Sequence, residues 1–205
     1  MDPRLHASPD RKRDIDCFTL DCIFELAFGN IEKPDKVDIR TGSLWEGRMQ
    51  IRKAQPGDAV LLSRLNVHVQ RMHAEAHPDL FKLPEDDAFA VPFFNALLGD
   101  PDILIYLAET ELPLGYVVLR IMRREENPFM HAWQYVYIDQ ICVQPEFQGT
   151  GVGKALMVRS EQTAQELDLG FVGLDSWDFN TKAHEFFYSQ GYQVYNLRMW
   201  KRMPG

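Results

Sequence analysis

The feature that most constrains the fold of this chain is a glycine-dense turn between a β-rich run and an amphipathic run. It consists of Gln148, Gly149, Thr150, Gly151, Val152, Gly153 and Lys154. Glycine has no Cβ, so several backbone N–H groups can face inward together, and a helix that follows directs its positive N-terminal end at an anion. The pattern predicts a cradle for pyrophosphate, and therefore a ligand that carries phosphate groups.

Two common phosphate-binding motifs do not fit this spacing. A Walker loop requires Gly-x-x-x-x-Gly-Lys followed by Ser or Thr, but Gln148 stands five residues before Gly153 and Ala155 follows Lys154. A dinucleotide-binding fingerprint requires Gly-x-Gly-x-x-Gly, whereas the third glycine here comes one residue early. The spacing argues against both nucleotide-binding classes.

The spacing that fits is Gln-x-x-Gly-x-Gly, formed by Gln148, Gly151 and Gly153 after a strand-like run at 135–143 and Pro145. In these residues the chain resembles the GNAT superfamily of acyl-CoA N-acyltransferases. A second block of that family, Asn-x-x-Ala followed by an aromatic pair and Gly-aromatic, resembles a downstream set of residues in the same order. The set is Asn180, Ala183, Phe186, Phe187, Tyr188, Gly191 and Tyr192.

The resemblance implies an α/β fold with one GNAT-like domain at residues 49–205, in which helices flank both faces of a mixed central β-sheet. Hydrophobic periodicity and turn residues predict helices at about 58–76, 85–98 and 181–189, and one after the cradle. Strands are expected at 49–54, 103–110, 114–123, 133–143, 171–176 and 192–202.

Residues 1–48 form an N-terminal extension with no counterpart in that pattern. One hypothesis is a misplaced start, with the natural protein beginning at Met49, because codons for Glu46-Gly47 are purine-rich like a bacterial ribosome-binding site. The other is an extra arm that packs on the domain or on a partner.

Composition narrows the class of protein and of partner. A formal net charge of −8 argues against a nucleic-acid partner. An acidic surface favours a cationic acceptor through long-range steering, although a charge that serves only solubility is the simpler interpretation. The absence of a long apolar run or signal-peptide pattern argues against a membrane protein, and we expect a cytoplasmic location. The three cysteines, without a Cys-x-x-Cys pair, are expected to be reduced.

The resemblance implies an acetyl-CoA-dependent N-acetyltransferase without a metal. The enzyme would move the acetyl group from the CoA thioester to a primary amine of a small molecule, by direct transfer in a ternary complex. A protein or peptide N-acetyltransferase shares this core, and a non-catalytic acyl-CoA-binding regulatory module is an alternative of another class. A homodimer is compatible with each of these.

Two catalytic candidates follow from the resemblance. Asp139 occupies the position on the third strand where many members carry a glutamate base, and the alternative is a carboxylate held by a backbone or arginine partner. The usual tyrosine acid lies four residues after Ala183, where this chain has Phe187. Tyr188 is the candidate acid if the helix is altered, and otherwise water or another side chain protonates the thiolate.

The remaining candidate site residues are expected to contact the cofactor. By resemblance, backbone groups of Ile141, Cys142 and Val143 receive the pantetheine arm, and Asn180, Ala183 and Phe187 lie on the cofactor side. Cys142 is expected to be a buried strand cysteine rather than a nucleophile, because no neighbouring histidine or positive charge would lower its pKa.

The acceptor site is marked only weakly in the sequence. His68, His73 and His77 lie on or beside the first long helix, before a Pro-x-x-Phe turn. His73 and His77 are one helical turn apart and could share a metal ion, but a solvated helix face is the simpler interpretation. Further aromatic residues are candidates for the pocket or the core: Trp133, Tyr135, Tyr137 and Trp177.

Overall fold

The computed structural model describes residues 49–203. Its centre is a five-stranded sheet in the order β1-β2-β3-β4-β5, antiparallel from β1 to β4, with β5 parallel to β4. The strands are β1 Gln50–Lys53, β2 Ile103–Glu109, β3 Pro113–Arg124, β4 Trp133–Val143 and β5 Val172–Leu174. The predicted mixed sheet is confirmed.

Four helices cover the sheet: α1 Ala59–Ala76, α2 Val91–Leu98, α3 Val152–Glu166 and α4 Thr181–Ser189. One apolar core lies between the sheet and the pair α1 and α2, and a second lies between the sheet and the pair α3 and α4. The α1 core is formed by the stripe of Leu62, Leu65, Val69 and Met72, which is buried as its spacing predicts. Helices on both faces, the predicted α/β architecture, are therefore confirmed.

The second predicted helix is shorter than expected, because it begins at Val91 and not near residue 85. Pro92 lies in its first turn, where a missing N–H costs nothing, whereas a longer helix would place the ring against an upstream carbonyl. Side chains satisfy the preceding backbone instead: Asp86 accepts from the N–H of Ala88 at 2.8 Å, and Ser63 accepts from that of Ala90 at 3.0 Å.

The prediction of a final strand at 192–202 is wrong. Residues 193–203 have no regular secondary structure and are exposed, including Leu197 and Trp200. A β-prone composition forms a strand only where a neighbouring strand supplies hydrogen bonds, and β5 contributes just three residues. The strand predicted at 171–176 is shortened for the same reason, since its pairing with β4 ends at Leu174.

Residues 1–48, including Cys17 and Cys22, lie outside the described part of the chain, so both hypotheses about this extension stay predictions. Within residues 49–203, no helix combines the length and the apolar character that crossing a bilayer requires.

An ion network anchors β1 to the turn before α1 and to β2. The Arg52 guanidinium donates to both carboxylate oxygens of Asp58, at 2.7 and 3.0 Å, and to Glu109 at 2.8 Å. Asp58 also accepts from the N–H of Gln55 at 2.7 Å. The hydrogen bonds from Arg52 are the main reason why the pKa of Asp58 lies below its ordinary value.

Asp58→Asn should lower the free energy of unfolding at pH 7 by about 1 kcal/mol, because it breaks a bidentate pair and a loop hydrogen bond. A carboxylate with a lowered pKa stabilises the fold above its unfolded pKa, and this contribution is lost as pH falls through the folded pKa. Urea unfolding at pH 7 and at about pH 3 measures the difference, which should shrink at the lower pH.

The matched control is Asp79→Asn, which removes an exposed carboxylate paired with Arg202. This control should change stability by no more than a few tenths of a kcal/mol. A destabilisation of Asp58→Asn that stays the same at both pH values would contradict the proposed role of its charge.

Candidate active site

Asp139 is the extra residue of a β-bulge in β4. Val118 pairs with Gln140 and Leu119 pairs with Ile138, so Asp139 has no opposite residue on β3. Side chains of a regular strand alternate between the two faces of the sheet. The bulge shifts this alternation in β4, so that Ile138 and Ile141, three residues apart, both lie in the core under α3. A bulge is a common device for directing a side chain into a site.

The Asp139 side chain lies on the α1 face of the sheet and is only 4% exposed. Its Oδ2 is 3.5 Å from a terminal nitrogen of Arg120, which neighbours Tyr137 across β3 and β4. The sequence left open whether an arginine holds the Asp139 carboxylate, and this partner is present. Arg120 itself was missed by sequence reasoning, although a charged residue inside an apolar strand was an available signal.

The parallel pairing of β4 with β5 ends next to the bulge. It joins Val136 to Val172 and Ile138 to Leu174, where β5 ends. The edge of β4 that carries Ile141, Cys142 and Val143 is consequently left without β5 as a neighbour. Cys142 is buried as predicted, and its Sγ donates to the carbonyl of Leu65 at 3.3 Å.

The glycine-dense turn leads directly from this edge into α3. Gly149 and Gly151 have φ angles of 74° and 97°, in the left-handed region that favours glycine. Gly151 is the N-cap of α3, so the first N–H groups of the helix, at Val152, Gly153 and Lys154, have no intrahelical acceptor. The predicted cradle therefore has the backbone geometry that an anion requires.

Side chains hold the turn in place. Gln148 donates through Nε2 to the carbonyl of Val143 at 3.2 Å, and the Thr150 hydroxyl donates to the carbonyl of Phe147 at 2.6 Å. The absence of a side chain at Gly153 lets the Phe186 ring pack closely against α3, because a Cβ there would lie 3.2 Å from that ring. Lys154 is exposed at the entrance of the turn, where its charge can reach a phosphate.

The turn also has room for a phosphate ligand. A Cβ built on Gly149 or Gly151 would meet no atom within 4 Å, so the space beside both residues is open. An open backbone cradle at a helix N-terminus, continuous with a free strand edge, suits a pyrophosphate followed by a pantetheine arm. The residues present thus fit coenzyme A.

The sequence matches the model of the acetyltransferase (GNAT) family over residues 68–192. The chain belongs to this family. A 64-residue stretch is 33% identical to blasticidin-S acetyltransferase from Streptomyces morookaense and covers 30% of this chain and 45% of that protein. The match thus spans less than half the length of this curated relative. The family is one of acetyltransferases, and the use of acetyl-CoA is implied by the family.

Solved structures share the fold. A tetramutant of the BH1408 protein from Bacillus halodurans aligns with a TM-score of 0.71 and 23% identity, over 75% of this chain and 99% of that one. An aminoglycoside acetyltransferase from an uncultured soil sample, in complex with sisomicin, aligns at 0.55 and 16%, over 78% and 99%. AAC(6')-Iy, bound to a CoA-containing bisubstrate analogue, aligns at 0.54 and 17%, over 77% and 99%.

In this GNAT domain α4 departs from the usual catalytic pattern. Asn180 caps the helix by accepting from the N–H of Ala183 at 3.3 Å. Ala183 and Phe187 are buried in the core shared with α3, so the position of the usual tyrosine carries no hydroxyl. Tyr188, one residue later, is 55% exposed on the outer side of a regular helix.

The expectation of a solvated histidine face on α1 is wrong for His73. This side chain is fully buried against Phe81 and Phe179, because the chain after β5 folds over the end of α1. Among residues 49–203, no three His, Cys, Asp or Glu side chains come together in a way that could hold a metal ion.

Gly151→Glu should abolish acetyl-CoA binding, because it places a carboxylate where the cradle receives pyrophosphate. Gly151→Gln is the matched variant, since both side chains impose the same strain of about 1 kcal/mol at a positive φ. We expect the glutamate to weaken binding at least tenfold more than the glutamine in isothermal titration calorimetry.

Gly57→Glu, at an exposed position with a negative φ and open surroundings, should leave acetyl-CoA affinity unchanged. Equal affinities for the two Gly151 variants would show that the turn does not contact the pyrophosphate.

Proposed function

We propose that this protein transfers the acetyl group of acetyl-CoA to a primary amine of a small molecule, by direct transfer in a ternary complex. The observation that carries the proposal is the meeting of three features at one end of β4. The buried carboxylate of Asp139, the free edge at 141–143 and the glycine cradle follow one another within residues 139–154, and each has a role in this reaction.

The cofactor is held mainly by backbone. The N–H groups of Gly151 to Lys154 face the pyrophosphate. The Gln148 side chain holds the turn in place by donating to the carbonyl of Val143. The strand edge at Ile141, Cys142 and Val143 pairs with the pantetheine arm, and an N–H there stabilises negative charge on the thioester oxygen. Asn180 orders the first turn of α4 beside this edge, and Ala183 and Phe187 form the apolar floor.

When bound, acetyl-CoA supplies the acetyl group as a thioester, and the products are the acetylated amine and free thiol. The acceptor must first lose a proton, and an alkyl ammonium with a pKa of about 10.4 requires roughly 4 to 5 kcal/mol for this at pH 7. Asp139 receives that proton, directly or through one water. Arg120 positions the carboxylate by pairing with its Oδ2.

Protonation of the leaving thiolate has no obvious side-chain donor on α4. Phe187 has no hydroxyl, and Tyr188 points outward from a helix that shows no alteration. With Tyr188 turned outward, the route that the sequence leaves is protonation by water or by another side chain. A free thiol is only moderately acidic, so the reaction proceeds without a dedicated acid.

Thiol release in the presence of acetyl-CoA should be measured across polyamines, aminoglycosides, arylalkylamines, amino acids and short peptides. Turnover with a small amine supports the proposal. Turnover with peptides alone would make the protein a peptide acetyltransferase. Tight acetyl-CoA binding without turnover would favour the regulatory module that Phe187 suggests.

Asp139→Asn should lower kcat for the active amine by about 10²-fold, because the amine loses its proton acceptor. Asp139→Glu should keep most of the activity, since it retains the carboxylate. Asp139→Asn also leaves Arg120 without its buried counter-charge. Melting temperature and acetyl-CoA affinity therefore serve as readouts of folding. Full activity of the asparagine variant would reject Asp139 as the base.

Tyr188→Phe should leave kcat/KM within about twofold of the parent value, as expected for a hydroxyl outside the site. The pH profile of kcat provides the second readout. A loss of about tenfold or more, together with the disappearance of an alkaline limb, would instead assign Tyr188 as the general acid.

A further inference from the structure

The C-terminal end of α1 and the chain after β5 meet in a group of rings. It consists of His73, His77, Phe81, Trp177 and Phe179, and we call it the imidazole–aromatic cluster. Ring centroids lie 5.0 Å apart for His73 and Phe81, 5.2 Å for His77 and Trp177, and 5.3 Å for Phe81 and Trp177. Phe179 is 5.7 Å from His73 and 5.4 Å from His77. These distances are those of direct aromatic contact.

The cluster contains polar atoms that the fold leaves unused. His73 is fully buried, and its Nδ1 lies 2.8 Å from the carbonyl of Val69. A carbonyl only accepts, so Nδ1 carries the hydrogen and Nε2 presents a lone pair. Within residues 49–203, neither this Nε2 nor the indole N–H of Trp177 has a hydrogen-bond partner. Buried polar atoms in native proteins are rarely left in this state unless a ligand or water uses them.

His73 is suited to recognition and not to proton transfer. Burial is the main cause that lowers the pKa of its imidazole to about 4, so the ring is neutral at physiological pH. A neutral imidazole with a fixed tautomer accepts a hydrogen bond from an N–H group without removing the proton. Its role therefore differs from that of Asp139.

The location of the cluster connects it to the reaction centre. α1 crosses the sheet over β4, where the carbonyl of Leu65 accepts from Cys142 and, at 3.0 Å, from Gln144. The C-terminal end of α1 contacts the loop that follows β5 through the ring pairs described above. Asp139 lies on the same face, where the pairing of β5 with β4 ends. Trp177 and Phe179 are half-buried, so this side of the cluster is partly accessible, and Trp200 of the C-terminal segment packs on His77 with ring centroids 5.9 Å apart.

On the basis of the proposed function, we propose that the imidazole–aromatic cluster recognises the acceptor, and that this acceptor is an amine carried on an aromatic or heteroaromatic body. The ring faces pack against the body and attract a cationic amine, while His73 Nε2 accepts from one of its N–H groups. No carboxylate belongs to the cluster. Of the carboxylates in the same two segments, Asp79 is paired with Arg202 and Asp178 is exposed, so the rings and the His73 acceptor are the main recognition elements, which favours an arylalkylamine over a polycationic aminosugar.

The test is calorimetric titration of the full chain, loaded with CoA, with 2-phenylethylamine as the probe. Without an acetyl group no turnover occurs, so binding is measured alone. We expect His73→Phe, which keeps a ring and removes the lone pair, and Trp177→Leu to weaken phenylethylamine binding about tenfold. Phe129→Leu, at a position 94% exposed and outside the cluster, is the matched control and should bind like the parent.

CoA affinity and melting temperature of each variant separate recognition from folding. If His73→Phe does not fold, Trp177→Leu alone decides the result. The proposal is overturned if phenylethylamine binds no better than ethylamine, if spermidine or kanamycin binds better, or if the cluster variants bind like Phe129→Leu. Phenylethylamine binding that depends on the cluster, without any acetyl transfer, would reject the proposed function and leave the subsite intact.

Discussion

The separation of β5 from β4 at a β-bulge is the constraint on which the rest of the site depends. The sheet pairs regularly up to Ile138, and Asp139 then interrupts the ladder. From that point no strand among residues 49–203 lies beside one edge of β4, although the other edge stays paired with β3 through Val143. Unpaired backbone groups at such an edge bind an extended ligand in the way that they would bind a strand. The bulge therefore places a carboxylate and a binding edge at the same position.

In the proposed reaction, the two cores separate the two substrates. The α3 core supports the glycine turn, so the cofactor side is built on backbone geometry, helix polarity and close packing at Gly153. The α1 core supports a face with Asp139, Arg120 and the imidazole–aromatic cluster, where side chains provide the chemistry. Backbone contacts suit a ligand that is common to a whole family, whereas side chains can change without altering the fold. The acceptor preference of this protein is consequently expected to be decided on the α1 side.

Local sequence signals predicted those parts of the structure that local interactions stabilise. The turn at 148–154 needs left-handed glycines, α4 needs an Asn cap and an apolar face, and β4 is a continuous β-prone run, and each matches its prediction. Two of the three errors lie where another part of the chain decides the local structure. α2 begins late because Pro92 is tolerated only in a first turn, and residues 193–203 form no strand because β5 provides too short an edge. His73 was interpreted as solvated because a helix pattern does not show what folds over the end of that helix.

The sequence by itself determined the family, the glycine-dense turn and the positions of the candidate residues along the chain, because glycine spacing and helix capping act over a few residues. The tertiary structure decided which of those residues share a space. It paired Asp139 with Arg120, turned Tyr188 outward, and brought two histidines at the end of α1 against aromatic residues a hundred positions away. Contacts at such separations depend on how the strands diverge and how the helices cross the sheet, and no local pattern encodes either of these.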